Sequence, residues 1–140
     1  PDLTGGVLQM RCLIIEDDIG VGQMLRDFLE MRGHQVCVVE TGQEGLRADL
    51  EEMPDVVFLD FVLPDLHGLG FLERLKQLGR SVPVVVMSGR ATEEEARISL
   101  QLGAVDYLPK PVSLSQVELL LQVLETGRFG GGNQAPSGLP

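Results

Sequence analysis

Short apolar runs alternate along the chain with longer segments of helical periodicity. The most apolar run, residues 56–59, ends in the carboxylate Asp60, and Pro64 follows shortly after it. A run of this length, rich in β-branched residues, is typical of a strand buried on both faces of a parallel sheet. The same pattern predicts further strands at residues 12–15, 36–39, 82–87 and 106–108.

The segments between these runs have the capping residues of helices. Gly33 and Gly79 stand where a C′ glycine ends a helix, the first and third in order. Thr92, followed three residues later by Glu95, forms a capping box for the fourth helix. The other predicted N-caps are Thr41 and either Ser113 or Ser115.

Five predicted strands alternate with five predicted helices, which specifies a doubly wound α/β domain with a five-stranded parallel sheet. If the strands follow the flavodoxin-like arrangement, their order is 2-1-3-4-5. The second helix is predicted to end near Leu50 and the last near Glu125. We expect a disordered leader at 1–10, the folded domain at 11–125, and a flexible tail or linker rich in glycine and proline at 126–140.

Composition narrows the possible functions. The chain of 140 residues has a formal net charge of −10, which argues against direct binding to nucleic acid phosphates. Cys12 and Cys37 lie within apolar runs, which predicts two buried thiols and no disulfide or metal site. No run approaches the roughly 20 apolar residues of a membrane span, so we expect a soluble, cytoplasmic protein with no membrane partner. His34 and His67 are predicted to lie at the surface.

Candidate chemistry lies where the predicted strands end. The carboxyl ends of parallel strands meet at one edge of the sheet, where open α/β folds bind their ligands. In the order 2-1-3-4-5, Glu16 and Asp17 lie beside Asp60, and Ser88 lies on its other flank. Lys110 is one strand further out and can reach back to Asp60. Three carboxylates in one pocket repel one another unless a cation lies among them, and an all-oxygen set suits Mg²⁺.

The motifs around these residues resemble the receiver domain of two-component response regulators, a CheY-like domain, from Arg11 to about Glu125. The matching motifs are Ile15-Glu16-Asp17-Asp18, Leu59-Asp60-Phe61-Val62-Leu63-Pro64-Asp65 with Gly68, Met87-Ser88-Gly89, and Gly103-Ala104-Val105-Asp106-Tyr107-Leu108-Pro109-Lys110-Pro111. The resemblance implies that Asp60 is the phosphoacceptor. It also implies that Asp17, Asp60 and the backbone carbonyl of Val62 bind Mg²⁺ directly, whereas Glu16 acts through water.

The implied function is signalling and not enzymatic turnover. A sensor histidine kinase or phosphotransfer protein would supply a phosphoryl group to Asp60, and the domain would then control an output domain or partner. Lys110 and Ser88 would assist the transfer, and the domain would support only its own phosphotransfer and autodephosphorylation. In the implied switch, Ser88 is drawn toward the phosphoryl group and Tyr107 turns into the space that it vacates.

The fourth and fifth helices are predicted to carry surplus apolar surface. Helical spacing places Ser99 and Leu100 on the buried face of the fourth helix, so Ile98 and Leu102 are expected to face away from the sheet. The last helix has more apolar positions than one buried stripe requires. These features predict a partner face or a homodimer. Its predicted residues are Ile98, Leu102, Tyr107, Val117 and Leu121.

Two other functions stay open. A Mg²⁺-dependent phosphohydrolase also forms an aspartyl phosphate, but those enzymes resemble one another in carrying a second acid two residues after the nucleophile. This chain has Val62 there, which leaves no general acid at that position. The other alternative is a receiver-like interaction domain that works without phosphorylation, and the complete set of acids, hydroxyl and lysine argues against it.

Overall fold

The computed structural model describes residues 9–90 and 92–130. These residues form five strands that alternate with five helices. The strands are β1 (Arg11–Ile15), β2 (Gln35–Val39), β3 (Val56–Asp60), β4 (Val84–Ser88) and β5 (Asp106–Pro109). The helices are α1 (Ile19–Met31), α2 (Gly42–Glu52), α3 (Gly68–Gln77), α4 (Glu93–Gln101) and α5 (Leu114–Gly130).

The strands form one parallel sheet in the order β2-β1-β3-β4-β5, which confirms the predicted fold class and strand order. Strands β3 and β4 are buried along their whole length, as their continuous apolar runs predict. The edge strands β2 and β5 are only partly buried. Ile15 pairs with Leu59, and Asp60 pairs with Met87, so the carboxyl ends of three neighbouring strands lie at one edge.

Residues Met10–Pro111 form one compact unit, which holds the sheet and the first four helices. Its hydrophobic cluster joins apolar side chains of the strands to those of α2 and α3. The members include Leu13, Ile15, Leu46, Val57, Leu59, Phe61, Phe71, Leu72 and Val86. Helix α5 belongs to a second unit, which begins at Val112.

Most helices begin at residues that the sequence identified. Thr41 and Thr92 each accept a hydrogen bond from the backbone N–H three residues later, as predicted. Ser113, and not Ser115, accepts the equivalent bond at α5. The caps of α1 and α3 are Asp18 and His67, which the sequence analysis did not identify. Their side chains satisfy backbone N–H groups that have no partner within the helix.

The predicted ends of the helices are confirmed at two glycines and corrected elsewhere. Gly33 and Gly79 follow α1 and α3 with φ angles of +91° and +75°, a conformation that favours glycine. Helix α2 continues to Glu52, two residues beyond the predicted end. Helix α5 continues to Gly130, so the prediction of a tail from Thr126 is wrong for residues 126–130. Residues 131–140 lie outside the described part of the chain.

The amino-terminal boundary and one histidine also need correction. Met10, assigned to the leader, is fully buried, and its backbone N–H donates to His34 Nδ1 over 3.0 Å. His34 is 5% exposed, so its predicted surface position is wrong. The bond to Met10 gives the buried imidazole nitrogen a partner and links it to the residue that precedes β1. Residues 1–8 of the predicted leader lie outside the described residues.

The prediction for the faces of α4 is wrong for Leu100 and Leu102. Leu102, just past the end of α4, packs against the hydrophobic cluster, whereas 49% of Leu100 is exposed. Ser99 is fully buried and marks the inward direction of the helix. Leu102 lies three residues further along and therefore shares that face, whereas Leu100 is turned away from it.

The prediction for α5 is also wrong for two residues of the expected partner face. Val117 and Leu121 are 0% and 2% exposed, so neither side chain is available to a partner. They are four residues apart and share one side of the helix. The exposed apolar side chains of α5 are instead Leu119 and Val123.

A buried ion pair that the sequence did not suggest links α2 to the segment before β4. Asp49 is fully buried and accepts from Arg80 Nε at 2.6 Å and Nη2 at 3.0 Å. The bond to Asp49 raises the pKa of Arg80, although partial burial opposes that shift. This bidentate pair satisfies a carboxylate that would otherwise be costly to bury.

Candidate functional site

Three carboxylates lie together at the carboxyl edge of the sheet. Asp60 is the last residue of β3, and Glu16 and Asp17 directly follow the neighbouring strand β1. One oxygen of each side chain lies within 4.8 Å of the others. The structure therefore brings together the acids that the sequence places at adjacent strand ends.

Glu16 is the deepest of these acids. Its side chain is fully buried, and its backbone N–H donates to the carbonyl of Val39 on β2 over 2.9 Å. One carboxylate oxygen, Oε1, lies 2.7 Å from Lys110 Nζ. The other accepts from the backbone N–H of Asp18 over 3.1 Å. Oε2 is thus hydrogen-bonded, whereas the buried Oε1 has an ionic contact with the ammonium and no hydrogen bond of standard geometry.

Lys110 reaches the acids from the end of β5. Its Nζ lies 3.3 Å from Asp60 Oδ1, so it is closer to Glu16 than to the carboxylate that the sequence analysis expected it to contact. Its backbone N–H donates to the Ser88 carbonyl over 2.8 Å, which holds its chain segment against β4. Burial lowers the pKa of Lys110, but Glu16 and Asp60 outweigh it, and the net shift is upward.

The environment of Asp60 disfavours its negative charge. Burial raises the pKa of Asp60, the Glu16 carboxylate raises it further and Lys110 partly offsets both, so that the result is about 7. A single ammonium group therefore does not balance the charge of the cluster. The all-oxygen composition and the close spacing of the carboxylates fit a divalent cation such as Mg²⁺.

Ser88 and Gly89 lie on the other flank of Asp60, at the end of β4. The Ser88 side chain is buried, and its Oγ accepts from the backbone N–H of Arg90 over 3.1 Å. Apart from the two chain neighbours of Gly89, no heavy atom of the described residues lies within 4 Å of the position that a Cβ would occupy there, so this position has open space around it. Val62 lies two residues after Asp60, and its apolar side chain is 59% exposed.

Tyr107 lies on β5, which pairs with the strand that ends at Ser88. Its ring meets Phe61 edge to face at 5.9 Å between centroids. Its hydroxyl donates to Glu95 Oε1 over 3.2 Å. Burial raises the pKa of Tyr107, the Ser88 hydroxyl lowers it and Glu95 raises it further.

Glu95 therefore has a partner that the sequence analysis missed. The capping-box pattern predicted that its carboxylate would return to the start of α4, yet it bonds to the Tyr107 hydroxyl from a different element. His67 was also missed as a contact. It is exposed, as predicted, but it caps α3 and its ring lies 4.5 Å from that of Phe61. Histidine is not one of the usual N-cap residues, so no local pattern in the sequence indicated this cap.

The fold and the site define a class of protein: a five-stranded CheY-like α/β domain with clustered acids, a lysine and a hydroxyl at one sheet edge. The family model described as response regulator receiver domain matches residues 12–122. The chain belongs to the response regulator receiver domain family, and it is the receiver domain of a two-component response regulator.

Individual proteins are similar over the same region. Response regulator MprA of Mycolicibacterium vanbaalenii is 33% identical over 117 residues, which cover 84% of this chain and 51% of the relative. The KDP operon transcriptional regulatory protein KdpE of Escherichia coli is 39% identical over 111 residues, which cover 79% and 49%. The chain thus spans about half the length of the curated relatives that it matches.

Solved structures are similar as well. The receiver domain of the Francisella response regulator 1452 has a TM-score of 0.81 and 26% identity, with 86% of this chain and 99% of that chain covered. NtrX from Brucella abortus has a TM-score of 0.79 and 27% identity, with 87% of this chain and 29% of that chain covered.

Among the helices between residues 9 and 130, the part of the chain that the structure describes, none has both the length and the apolar character that a bilayer requires.

Proposed function

We propose that this receiver domain takes a phosphoryl group onto Asp60 from a phosphohistidine of a sensor histidine kinase or phosphotransfer protein. The observation that carries the proposal is the cluster around Asp60. Carboxylate oxygens of Glu16 and Asp17 lie within 4.8 Å of Asp60, and the Lys110 ammonium lies 3.3 Å from it. Phosphoryl transfer requires a nucleophile with positive charge near the transferred oxygens.

In the proposed step, a carboxylate oxygen of Asp60 forms a bond to phosphorus while the phosphorus–nitrogen bond of the donor breaks. The electron pair of that bond stays on the imidazole nitrogen, which then takes up a proton. Lys110 faces the charge that develops on the phosphoryl oxygens, and the Ser88 hydroxyl donates a hydrogen bond to one of them. The open space at Gly89 leaves room for the group.

Glu16, Asp17, Asp60 and the carbonyl of Val62 are the groups that would hold Mg²⁺, with Glu16 acting through water. When bound, Mg²⁺ supplies positive charge that keeps Asp60 ionised and neutralises the phosphoryl oxygens. The raised pKa of Asp60, about 7, supports this assignment because Lys110 by itself does not balance the negative charge of the three acids. Water attack on the phosphorus would later release inorganic phosphate and restore the carboxylate, which is the only turnover that we propose.

The proposed switch couples Ser88 to Tyr107. Ser88 Oγ now accepts from Arg90, and reorientation toward the phosphoryl group would exchange that bond for a charge-assisted one. Tyr107 lies in the space next to Ser88, with its hydroxyl on Glu95. Movement of Ser88 would therefore change the free-energy difference between the present position of Tyr107 and the position that it would take in the switch.

Two further proposals concern partners. A homodimer through the fourth and fifth helices is proposed on the exposed apolar side chains of those helices. It does not include Leu102, which packs against the hydrophobic cluster, or the buried Val117 and Leu121. The formal net charge of −10 supports the proposal that this segment does not itself bind nucleic acid. An output domain or partner would carry the downstream activity. A phosphohydrolase is disfavoured because Val62, two residues after Asp60, stands where those enzymes carry their second acid.

Labelling with acetyl phosphate and Mg²⁺ tests the proposal. We expect mass spectrometry to find one phosphoryl group on Asp60, and we expect chelation of Mg²⁺ or the variant Asp60→Asn to abolish it. Asp18→Asn is the matched control because it removes a neighbouring carboxylate that caps α1 and keeps an oxygen for the cap. Labelling that persists in Asp60→Asn, or that does not require Mg²⁺, would contradict the proposal.

A further inference from the structure

The loop between β3 and α3, residues 61–67, is attached to the start of a different helix. Asp65, in the middle of this loop, accepts from the backbone N–H of Gly42 over 2.7 Å and from that of Gln43 over 3.0 Å. These are the first two N–H groups of α2, and helical geometry leaves them without a partner inside the helix. Thr41 caps the next N–H, that of Glu44. Asp65 therefore completes the cap of α2 from a distance of more than 20 positions along the chain.

The attachment of Asp65 is electrostatic as well as geometric. The bonds from the backbone N–H groups of Gln43 and Gly42 lower the pKa of Asp65, so the carboxylate is ionised at neutral pH. A negative charge at the first turn also interacts favourably with the helix dipole. Bonds from backbone N–H groups to an ionised carboxylate are stronger than bonds between neutral groups. The corner of the loop is thus bound to a rigid element.

Packing reinforces the same contact. Leu66 is partly buried against the hydrophobic cluster. A Cβ at Gly42 would lie 2.7 Å from the Leu66 Cβ, which is closer than such atoms approach in folded proteins. The first residue of α2 must therefore lack a side chain for the loop to lie where it does. Asp65 and Gly42 form two independent parts of one junction, which we call the loop–helix junction.

The same loop contacts the phosphoacceptor, because the backbone N–H of Val62 donates to Asp60 Oδ1 over 3.4 Å. It starts at Phe61, directly after Asp60, and Val62 is its second residue. The backbone of Val62 pairs with that of His67, and the Gly68 N–H donates to the Phe61 carbonyl over 2.7 Å. These bonds close the loop into one unit, so displacement of the Asp65 corner is transmitted to Val62.

We propose that Asp65 is a positioning residue for the Mg²⁺ site. It would act through the loop–helix junction, which would fix the backbone of Val62 and with it the proposed carbonyl ligand. This inference rests on the proposed function, because it concerns the affinity of the site for Mg²⁺. Asp65 does not touch the site itself; its oxygens are occupied by the N–H groups of α2. Residues that orient metal ligands in this indirect way commonly change metal affinity by about tenfold or more when they are removed.

Titration calorimetry of the full chain with MgCl₂ tests the proposal. We expect Asp65→Ala to weaken Mg²⁺ binding about tenfold, and Asp65→Asn, which keeps one acceptor oxygen, to weaken it about threefold. The matched control is Glu73→Ala, which removes one exposed carboxylate from α3. It should leave the affinity within about twofold. Labelling of Asp65→Ala by acetyl phosphate should be slow at low Mg²⁺ and recover at saturating Mg²⁺.

A second variant approaches the junction from its other side. Gly42→Ala places a Cβ against Leu66 without changing Asp65, and we expect it to weaken Mg²⁺ binding to a similar extent. If Asp65→Ala does not fold, the Mg²⁺ affinities of Gly42→Ala and Asp65→Asn decide whether the loop–helix junction positions the site. A role in stability alone would lower the melting temperature but leave the Mg²⁺ affinity of the folded protein unchanged.

The outcomes separate this inference from the proposed function. If the wild-type chain neither binds Mg²⁺ nor is labelled on Asp60, the proposed function fails. If the wild-type chain does both and the junction variants bind Mg²⁺ with wild-type affinity, only the role of Asp65 is overturned. A labelling defect that saturating Mg²⁺ does not restore would also overturn it.

Discussion

The phenol of Tyr107 can be observed without interference, because the chain has one tyrosine and no tryptophan. Burial and Glu95 raise the pKa of Tyr107, and the Ser88 hydroxyl lowers it. We expect Glu95→Gln to lower this pKa, because the amide keeps an acceptor oxygen but removes the negative charge that disfavours the phenolate. The ultraviolet absorbance of the phenolate as a function of pH measures the shift.

The matched control for this titration is Glu94→Gln. Glu94 is exposed and pairs at 2.7 Å with Arg97 on the same helix, and no bond joins it to the phenol. Its removal should leave the pKa of Tyr107 nearly unchanged. Equal shifts in the two variants would mean that Tyr107 senses only the general charge of α4 and would contradict the specific bond.

The two cysteines should differ in reactivity. Burial, assisted by the charge of Asp55, raises the pKa of Cys12 to about 12, whereas Cys37 lies on an edge strand and is only partly buried. Because the thiolate is the nucleophile, we expect iodoacetamide to modify native Cys37 slowly and Cys12 only after unfolding. Mass spectrometry of Cys37→Ser before and after addition of urea checks this. Rapid labelling of the native variant would be inconsistent with a buried Cys12.

At the scale of elements, the ion pair between Asp49 and Arg80 joins α2 to the segment before β4. Asp49→Ala would leave a guanidinium group, 17% exposed, without its carboxylate. We expect the free energy of unfolding to fall by about 3 kcal/mol. The exposed pair of Arg97 and Glu94 supplies the comparison, since Arg97→Ala should cost less than about 1 kcal/mol. Urea unfolding measures both, and similar losses in the two variants would show that the buried pair has no special role.

The contact between α2 and β1 depends on Gly45. A Cβ there would lie 2.5 Å from Ile15 Cδ1 and 2.9 Å from Cγ1. Alanine favours a helix over glycine by about 1 kcal/mol, but we expect overpacking to dominate, so that Gly45→Ala destabilises by about 1–3 kcal/mol. Ile15→Val removes Cδ1 and should recover part of this loss. The double-mutant cycle measures the coupling, and additive effects would contradict direct steric contact.

At the scale of the whole molecule, we predict association on phosphorylation. Leu119 and Val123 expose 62% and 66% of their surface on α5. We expect beryllofluoride with Mg²⁺ to raise the mass measured by analytical ultracentrifugation from monomer to dimer, and the double variant Leu119→Glu, Val123→Glu to prevent it. Asp60→Asn controls for effects of beryllofluoride away from the site. A chain that stays monomeric at high concentration with beryllofluoride would rule out this homodimer.

Much of the fold follows from patterns that are local in the sequence. Strands β3 and β4 could be predicted because a strand buried on both faces is a continuous apolar run. Thr41 and Thr92 could be predicted as caps because the bond that they accept comes from three residues away. Predictions failed where they had to say which side chains point into the protein. Leu100 and Leu102 were assigned to the wrong faces of α4, and His34 was assigned to the surface. A periodic pattern shows that a helix has two faces, but the neighbouring elements decide which of them is covered.

The residues of the candidate site could be predicted from the sequence, but the contacts between them could not. The sequence by itself determined the order of strands and helices, the family, and which acids, hydroxyl and lysine stand at the carboxyl edge, because these follow from neighbours along the chain. Only the tertiary structure decided that Lys110 lies closer to Glu16 than to Asp60, that Glu95 bonds to Tyr107, and that Asp65 caps α2. Each of these contacts joins residues that are far apart in sequence, and their distances depend on how the packed elements lie against one another.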